Sequence, residues 1–157
     1  MKIKIVCLGK LKEKYFKECI DEYCKRIGRF TKLEIIELAD ERIPDNPNPS
    51  QCSAILKAEG EKIKKHLEGY TIALCVEGNM MSSEELAHKI SSVTLAGKSM
   101  LTFVIGGSLG IDESVKKMSD FRLSFSKMTF PHQLMRIILA EQIYRAFKIN
   151  ANENYHK

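Results

Sequence analysis

Residues Tyr70-Thr-Ile-Ala-Leu-Cys-Val76 form a near-continuous apolar run of strand length, and Met100 to Ile105 supply a second. A strand that is apolar on both faces must be covered on both, which is the condition of a central strand in a parallel sheet. The segments between such runs carry helical periodicity. Lys12 to Phe30 places Tyr15, Phe16, Cys19, Ile20, Tyr23, Cys24 and Ile27 at helical spacing, after a buried first strand over Ile3 to Leu8. Lys32 to Leu38 alternates as another strand. Arg42-Ile-Pro-Asp-Asn-Pro-Asn-Pro-Ser50 has prolines too close together for either regular element and reads as the one long loop.

Past that loop, Ile55, Leu56, Ile63 and Leu67 give an apolar stripe to a helix over about Ser50 to Leu67. Glu77-Gly78-Asn79 is expected to end the Tyr70 strand. Ser82 and Glu85 have capping-box spacing for a helix running to about Leu95, and Asp112 can cap a short helix carrying Val115 and Met118. A brief strand over Phe121 to Phe125 precedes a final helix, His132 to Phe147, opened by Pro131. Strands alternating with helices predict an α/β fold with a mostly parallel sheet. At 157 residues and 44% hydrophobic content, the chain fits one domain, residues 1–157, with a substantial core.

Several classes are disfavoured. No apolar run approaches the roughly 20 residues of a membrane span, and Met1-Lys-Ile-Lys-Ile-Val-Cys-Leu8 is too short for a secretory signal, so a cytoplasmic location is expected. The five cysteines, Cys7, Cys19, Cys24, Cys52 and Cys75, contain no CxxC pair; they read as reduced and mostly buried, with no metal site. His66 and His88 stand on polar helix surfaces without clustered ligands. A net charge of +5 permits a polyanionic partner, and without an arginine-rich block any RNA contact must come from a folded surface with dispersed basic groups.

The candidate site lies in two segments. Thr102-Phe-Val-Ile-Gly-Gly-Ser-Leu-Gly-Ile111 is a strand entering a glycine turn, and Leu123-Ser-Phe-Ser-Lys-Met-Thr-Phe-Pro-His132 is a strand, loop and helix start. Such loops can bring main chain to a ligand, or can be turns and nothing more. Two readings also stand for Arg145, an i,i+4 ion pair with Glu141 or a group facing substrate, and two for His132, a structural hydrogen-bonding group or a base.

Those segments, with Ala73-Leu74-Cys-Val-Glu-Gly78, Arg136-Ile-Ile-Leu-Ala-Glu-Gln-Ile-Tyr-Arg-Ala146 and the terminal Tyr155-His156, resemble the bacterial ribosomal large-subunit pseudouridine N3-methyltransferases of the SPOUT, or α/β-knot, superfamily. The likeness covers the whole chain. It implies a C-terminal trefoil knot, an exception to the rule against knots; residue periodicity alone implies an ordinary doubly wound sheet with a ligand at the carboxyl ends of its strands. It further implies an S-adenosylmethionine site formed by Leu74, Gly106 and the segment Phe125, Ser126, Lys127, Met128, Thr129 and Phe130. It implies a homodimer whose active site is completed across the interface. The implied substrate is N3 of a pseudouridine in the helix 69 loop of 23S rRNA, within the assembled ribosome.

By the same resemblance His156 accepts the N3 proton or orients a water, Tyr155 positions the base, and Arg145 holds phosphate or stabilises charge on a carbonyl. Lys127 or Lys148 are alternative phosphate contacts. Cys75 and Asn79 depart from the family pattern, where many members have Asp and Lys, and this bears on a local hydrogen bond. The fold by itself leaves room for a knotted methyltransferase of tRNA or of a ribose 2'-hydroxyl, or for a non-catalytic RNA-binding module.

Overall fold

The computed structural model describes residues 1–155. Ten elements follow in chain order: β1 (Lys2–Leu8), α1 (Lys14–Ile27), β2 (Leu33–Leu38), α2 (Pro49–Lys64), β3 (Tyr70–Met80), α3 (Ser83–Leu95), β4 (Met100–Ile105), α4 (Glu113–Met118), β5 (Phe121–Ser124) and α5 (His132–Asn150). The strands form one parallel sheet in the order β2-β1-β4-β3-β5. Because all run the same way, the loops that follow them gather along one edge.

Side-chain alternation sorts the core into two layers. Ile3, Ile5 and Cys7 of β1, Ile72 of β3, and Leu101, Phe103 and Ile105 of β4 join residues of α1, α3 and α5 in the larger layer. Val6, Leu8, Ala73 and Val104 face Ile63 of α2 and Val115 of α4 in the smaller. Both faces of β1, β3 and β4 are therefore covered, as their apolar runs require. Lys4, only 4% exposed, sits among the strands by carrying its ammonium to Glu68 at 2.6 Å.

Capping decides several boundaries. Ser82 and Glu85 form the expected reciprocal box, with the Glu85 amide donating to Ser82 Oγ at 3.2 Å and the Ser82 amide to Glu85 Oε2 at 2.7 Å. A second box, Asn48 with Gln51, starts α2 at Pro49, inside the stretch read as loop. The first helix begins at Lys14 rather than Lys12, because Leu11 is buried and the Lys12 amide donates to Gln133 Oε1 at 3.1 Å. The last helix runs on to Asn150.

Glu77-Gly78-Asn79 does not end β3. The strand bulges between Leu74 and Asn79 and then pairs again with β5, Asn79 opposite Leu123 and Met80 opposite Ser124. Gly78 permits this, since a Cβ there would come within 2.8 Å of the Arg122 and Leu123 main chain. The cysteines also differ from expectation: only Cys7 is buried, while Cys19 is exposed and the others are half-buried. Burial pushes the Cys7 thiol up to about 12.

The chain's final crossing sets the architecture. β5 is one edge of the sheet, yet the first turns of α5 are bound to β1 and β2 on the other side. Arg136, fully buried, donates from Nη2 to the Gly9 carbonyl at 3.0 Å and from Nη1 to the Glu37 carboxylate, whose Oε1 also accepts from the Leu11 amide at 3.3 Å. Residues 125–131 must therefore cross the carboxyl edge, past β3 and β4. We predict that Arg136→Ala destabilises the fold by about 3 kcal/mol, because it empties a fully buried side-chain site and leaves the Gly9 carbonyl without its donor, while Glu37, a third exposed, keeps access to water. Arg136→Lys should recover only part, because one ammonium cannot span the carboxylate and the carbonyls together. Urea unfolding midpoints of the two variants check this.

Candidate active site

Leu74, Ile105 and Leu123 lie side by side, because the register pairs Leu74 with Ile105 on one neighbour and with Leu123 on the other. They form part of the wall of a cavity of about 370 Å³ at the carboxyl edge of β4, β3 and β5. Further lining comes from residues 75–77 after Leu74, from the glycine turn 106–110 with Ile111, from Lys116 of α4, from residues 124–126 and 128–130, and from His132 and Met135 of α5. Three loops from three adjacent strands thus meet on one hollow, of the size and mixed apolar and main-chain character of small-molecule sites.

Each loop has its own bracing. Gly106 opens a turn closed by the Gly110 amide on the Gly107 carbonyl at 3.0 Å, and a Cβ on Gly106 would overlap the Gly110 carbonyl. Glycine there is thus demanded by the turn, whatever it binds. Behind the turn, the buried carboxyl of Glu59 approaches Gly107 and accepts from the Glu41 amide at 3.0 Å. In the crossing segment, the Ser124 hydroxyl donates to the Ser126 carbonyl and the Met128 amide donates to Ser126 Oγ, both at 3.0 Å. The main-chain groups of Lys127 and Thr129 carry no hydrogen bond among the described residues.

The cavity therefore gathers seven of the eight expected cofactor residues. Lys127 is the exception: it is exposed and does not line the hollow, because it sits at the outer tip of the Ser126 turn, leaving its main chain as its only available contribution. Cys75 lines the cavity, half-buried, whereas Asn79 lies beyond the bulge and away from it. Glu77 and Lys116, which the sequence did not single out, form an ion pair at the cavity, and Lys116 holds the Glu77 carboxyl below the usual carboxylate range. Ile105, Leu123 and Met135 were also missed as lining. Register with Leu74 would have found the first two; nothing in the sequence signals Met135.

Two of the three expected catalytic residues, Arg145 and Tyr155, form a separate group. Arg145 donates from Nε and Nη2 to Glu141 Oε1 at 3.0 and 2.7 Å, so the i,i+4 pair is present. Its guanidinium also lies 4.8 Å from the ring centroid of Tyr155, whose hydroxyl donates to Glu141 Oε1 at 3.4 Å. Tyr155 packs edge-on against Tyr144 at 4.9 Å, so the chain end through Tyr155 is anchored. His156 lies outside the described residues. None of Glu141, Arg145 and Tyr155 lines the cavity. Met135, which does, precedes Arg145 by ten residues of helix, about 15 Å along the axis. Lys148 is engaged by Glu153.

The cavity suits S-adenosylmethionine on these residues: apolar walls, main-chain edges and the Glu77 carboxylate, with Lys116 its counter-ion. Among the described residues, no group of three or more His, Cys, Asp or Glu side chains could hold a metal, and no helix is long and apolar enough to cross a membrane. His132 lies at the cavity's inner end, its imidazole held below its ordinary value by burial first and by the Arg136 charge second. A depressed folded value means the unfolded chain binds the proton more tightly. The contribution is therefore present above about 6.5 and is lost as pH falls through the folded value. Urea midpoints for His132→Gln should accordingly fall less steeply between pH 7.5 and 5 than those of the parent chain; identical slopes would exclude the neutral imidazole.

Residues 1–156 match the family model described as "Predicted SPOUT methyltransferase". The chain is 57% identical to the ribosomal RNA large subunit methyltransferase H of Clostridium novyi and 55% identical to that of Bifidobacterium animalis subsp. lactis, each match covering all of both chains. Among solved structures it resembles the tRNA (m1G37) methyltransferase of Aquifex aeolicus, with a TM-score of 0.52 and 14% identity over 92% of this chain and 70% of that one, a likeness of fold.

Proposed function

The chain belongs to the SPOUT methyltransferase family, and on that premise we propose that it methylates N3 of a pseudouridine in the helix 69 loop of 23S rRNA, using S-adenosylmethionine, on assembled ribosomes in the cytoplasm. The observation that carries the reading is the convergence of the β3, β4 and β5 loops on one cavity, in a chain matched end to end by ribosomal RNA large subunit methyltransferases. Membership brings with it the trefoil knot, and the crossing of residues 125–131 over the carboxyl edge is the part of the chain that such a knot needs.

When bound, S-adenosylmethionine supplies the electrophilic methyl group. Leu74, Ile105 and Leu123 would cover the apolar part of the adenosine, and the main chain of the glycine turn and of Ser126 to Thr129 would meet the edges of adenine and ribose. The target base must leave its stack to reach the cavity. Its N3 carries a proton and is a poor nucleophile until that proton departs. His156 is the acceptor, directly or through a water; Tyr155 positions the base; Arg145 stabilises the negative charge that deprotonation leaves on a carbonyl. Glu141, bonded to both Arg145 and Tyr155, is the positioning residue for the pair.

A homodimer is part of this reading. The Arg145–Tyr155 group and the cavity occupy different stretches of α5, so two chains related by a two-fold axis, each lending its end to the other's cavity, form two equal composite sites. Leu134, Ile137 and Ile138, half-buried on α5, and Met128 and Phe130, exposed beside the cavity, supply apolar surface for the pairing.

Three measurements check the reading. Mass mapping of rRNA after incubation with enzyme and cofactor should place one methyl on N3 of the pseudouridine, and a methyl on another atom defeats the assignment. Single-turnover rates at saturating cofactor should fall on the order of 100-fold for His156→Ala and for Arg145→Ala, and unchanged rates would remove both from catalysis. Light scattering should find the dimer mass at assay concentration; a fully active monomer would end the composite-site reading.

A further inference from the structure

Lys10, Lys12, Lys14 and Lys17 fall within eight residues, in the β1–α1 loop and the first turn of α1, and all four are exposed. Elsewhere much of the positive charge is spent within the chain: Lys62 on Glu41, Lys64 on Glu61, Lys116 on Glu77, Arg122 on Glu113 and Lys148 on Glu153. Among the described residues Lys10, Lys12 and Lys17 have no carboxylate within ion-pair distance, and Lys14 has only Glu18, at 3.6 Å on open surface. Tyr15 lies among them, 58% exposed and resting edge-on against Phe16 at 4.5 Å.

This strip is fixed beside the cavity. The Lys12 amide bond to Gln133 and the Arg136 bond to the Gly9 carbonyl fasten the loop to the first turns of α5, from which His132 and Met135 enter the hollow. Lys10 and Lys17 flank a second groove of about 560 Å³, with Leu11, Ile20 and Ile35 on its walls and Arg136 at its base. Two carboxylates, Asp21 and Glu37, also line it, and Glu37 is already engaged by Arg136.

We infer that the Lys10–Lys17 strip is the docking surface for the RNA strand flanking the target base: the lysines hold successive phosphates, and Tyr15 offers its ring to an unstacked base. The occupant is a polyanion by charge balance, since cations with no carboxylate partner among the described residues and an exposed aromatic ring beside a site suit a nucleic acid backbone better than a peptide. The inference rests on the function proposed above, of which it specifies the RNA-binding face.

The test compares Lys10→Ala/Lys12→Ala/Lys17→Ala with a control that removes equal charge at the opposite edge of the sheet, Lys2→Ala/Lys32→Ala/Lys98→Ala, where all three side chains are exposed. Binding to purified ribosomes and methylation under kcat/KM conditions are measured across a salt series, with calorimetric titration of S-adenosylhomocysteine on every variant. The strip variant should lose on the order of 10- to 100-fold in ribosome affinity and kcat/KM, with a log–log salt slope shallower by about 2 to 3. S-adenosylhomocysteine binding should not change, and Tyr15→Ala should show a several-fold loss at an unchanged salt slope. An equal loss in the control triple, or no loss in the strip triple, would overturn the inference. Methylation of tRNA instead of rRNA, lost with the same three lysines, would keep the docking surface and remove the ribosomal substrate.

Discussion

The guanidinium of Arg136 joins three pieces of chain that are far apart in sequence. It reaches the end of β1 through the Gly9 and Leu8 carbonyls and the end of β2 through Glu37, and it stands on the second turn of α5. Complete burial of that charge is tolerable because acceptors surround it; Nε alone lacks one. Once α5 is tied there, the segment after β5 has only one route, over the carboxyl edge of the sheet. The cavity wall made by residues 124–126 and 128–130 follows from that route.

The same tie explains why the site is rich in main chain and poor in charged side chains. Parallel strands put their following loops on one edge, and a crossing segment laid over that edge presents its own peptide groups to whatever lies beneath. The glycine turn after β4 can come close because Gly106 has no Cβ to strike Gly110. The one carboxylate at the wall, Glu77, is neutralised by Lys116 within the described residues. Arg145, further along α5, and Tyr155, beyond its end, gather around Glu141 instead. One helix thus lines the cavity at its start, through His132 and Met135, and carries Arg145 near its end; in the proposed homodimer each chain's end meets the other's cavity.

The sequence determined a good deal. Hydrophobic periodicity set all ten elements in order, and two capping residues, Ser82 and Asp112, placed helix starts, because these are local effects that act within one turn. The doubly apolar strands required a parallel sheet with helices on both faces. The glycine and Ser126 loops were legible as main-chain-rich segments at strand ends, and the Glu141–Arg145 pair was legible from i,i+4 spacing. What only the tertiary structure decided depends on contacts between distant residues. The continuation of β3 through Gly78 needed the Arg122 backbone to be alongside it. The role of Arg136 needed Gly9, Glu37 and α5 in one place, and a buried arginine reads in sequence like any other polar position on a helix. The separation of Tyr155 and Arg145 from the cavity, and the closeness of the Lys10–Lys17 strip to it, follow from the crossing of residues 125–131. Connectivity of that kind leaves no period in the residues, because it is fixed by which strand ends a helix is bonded to and not by the helix's own sequence.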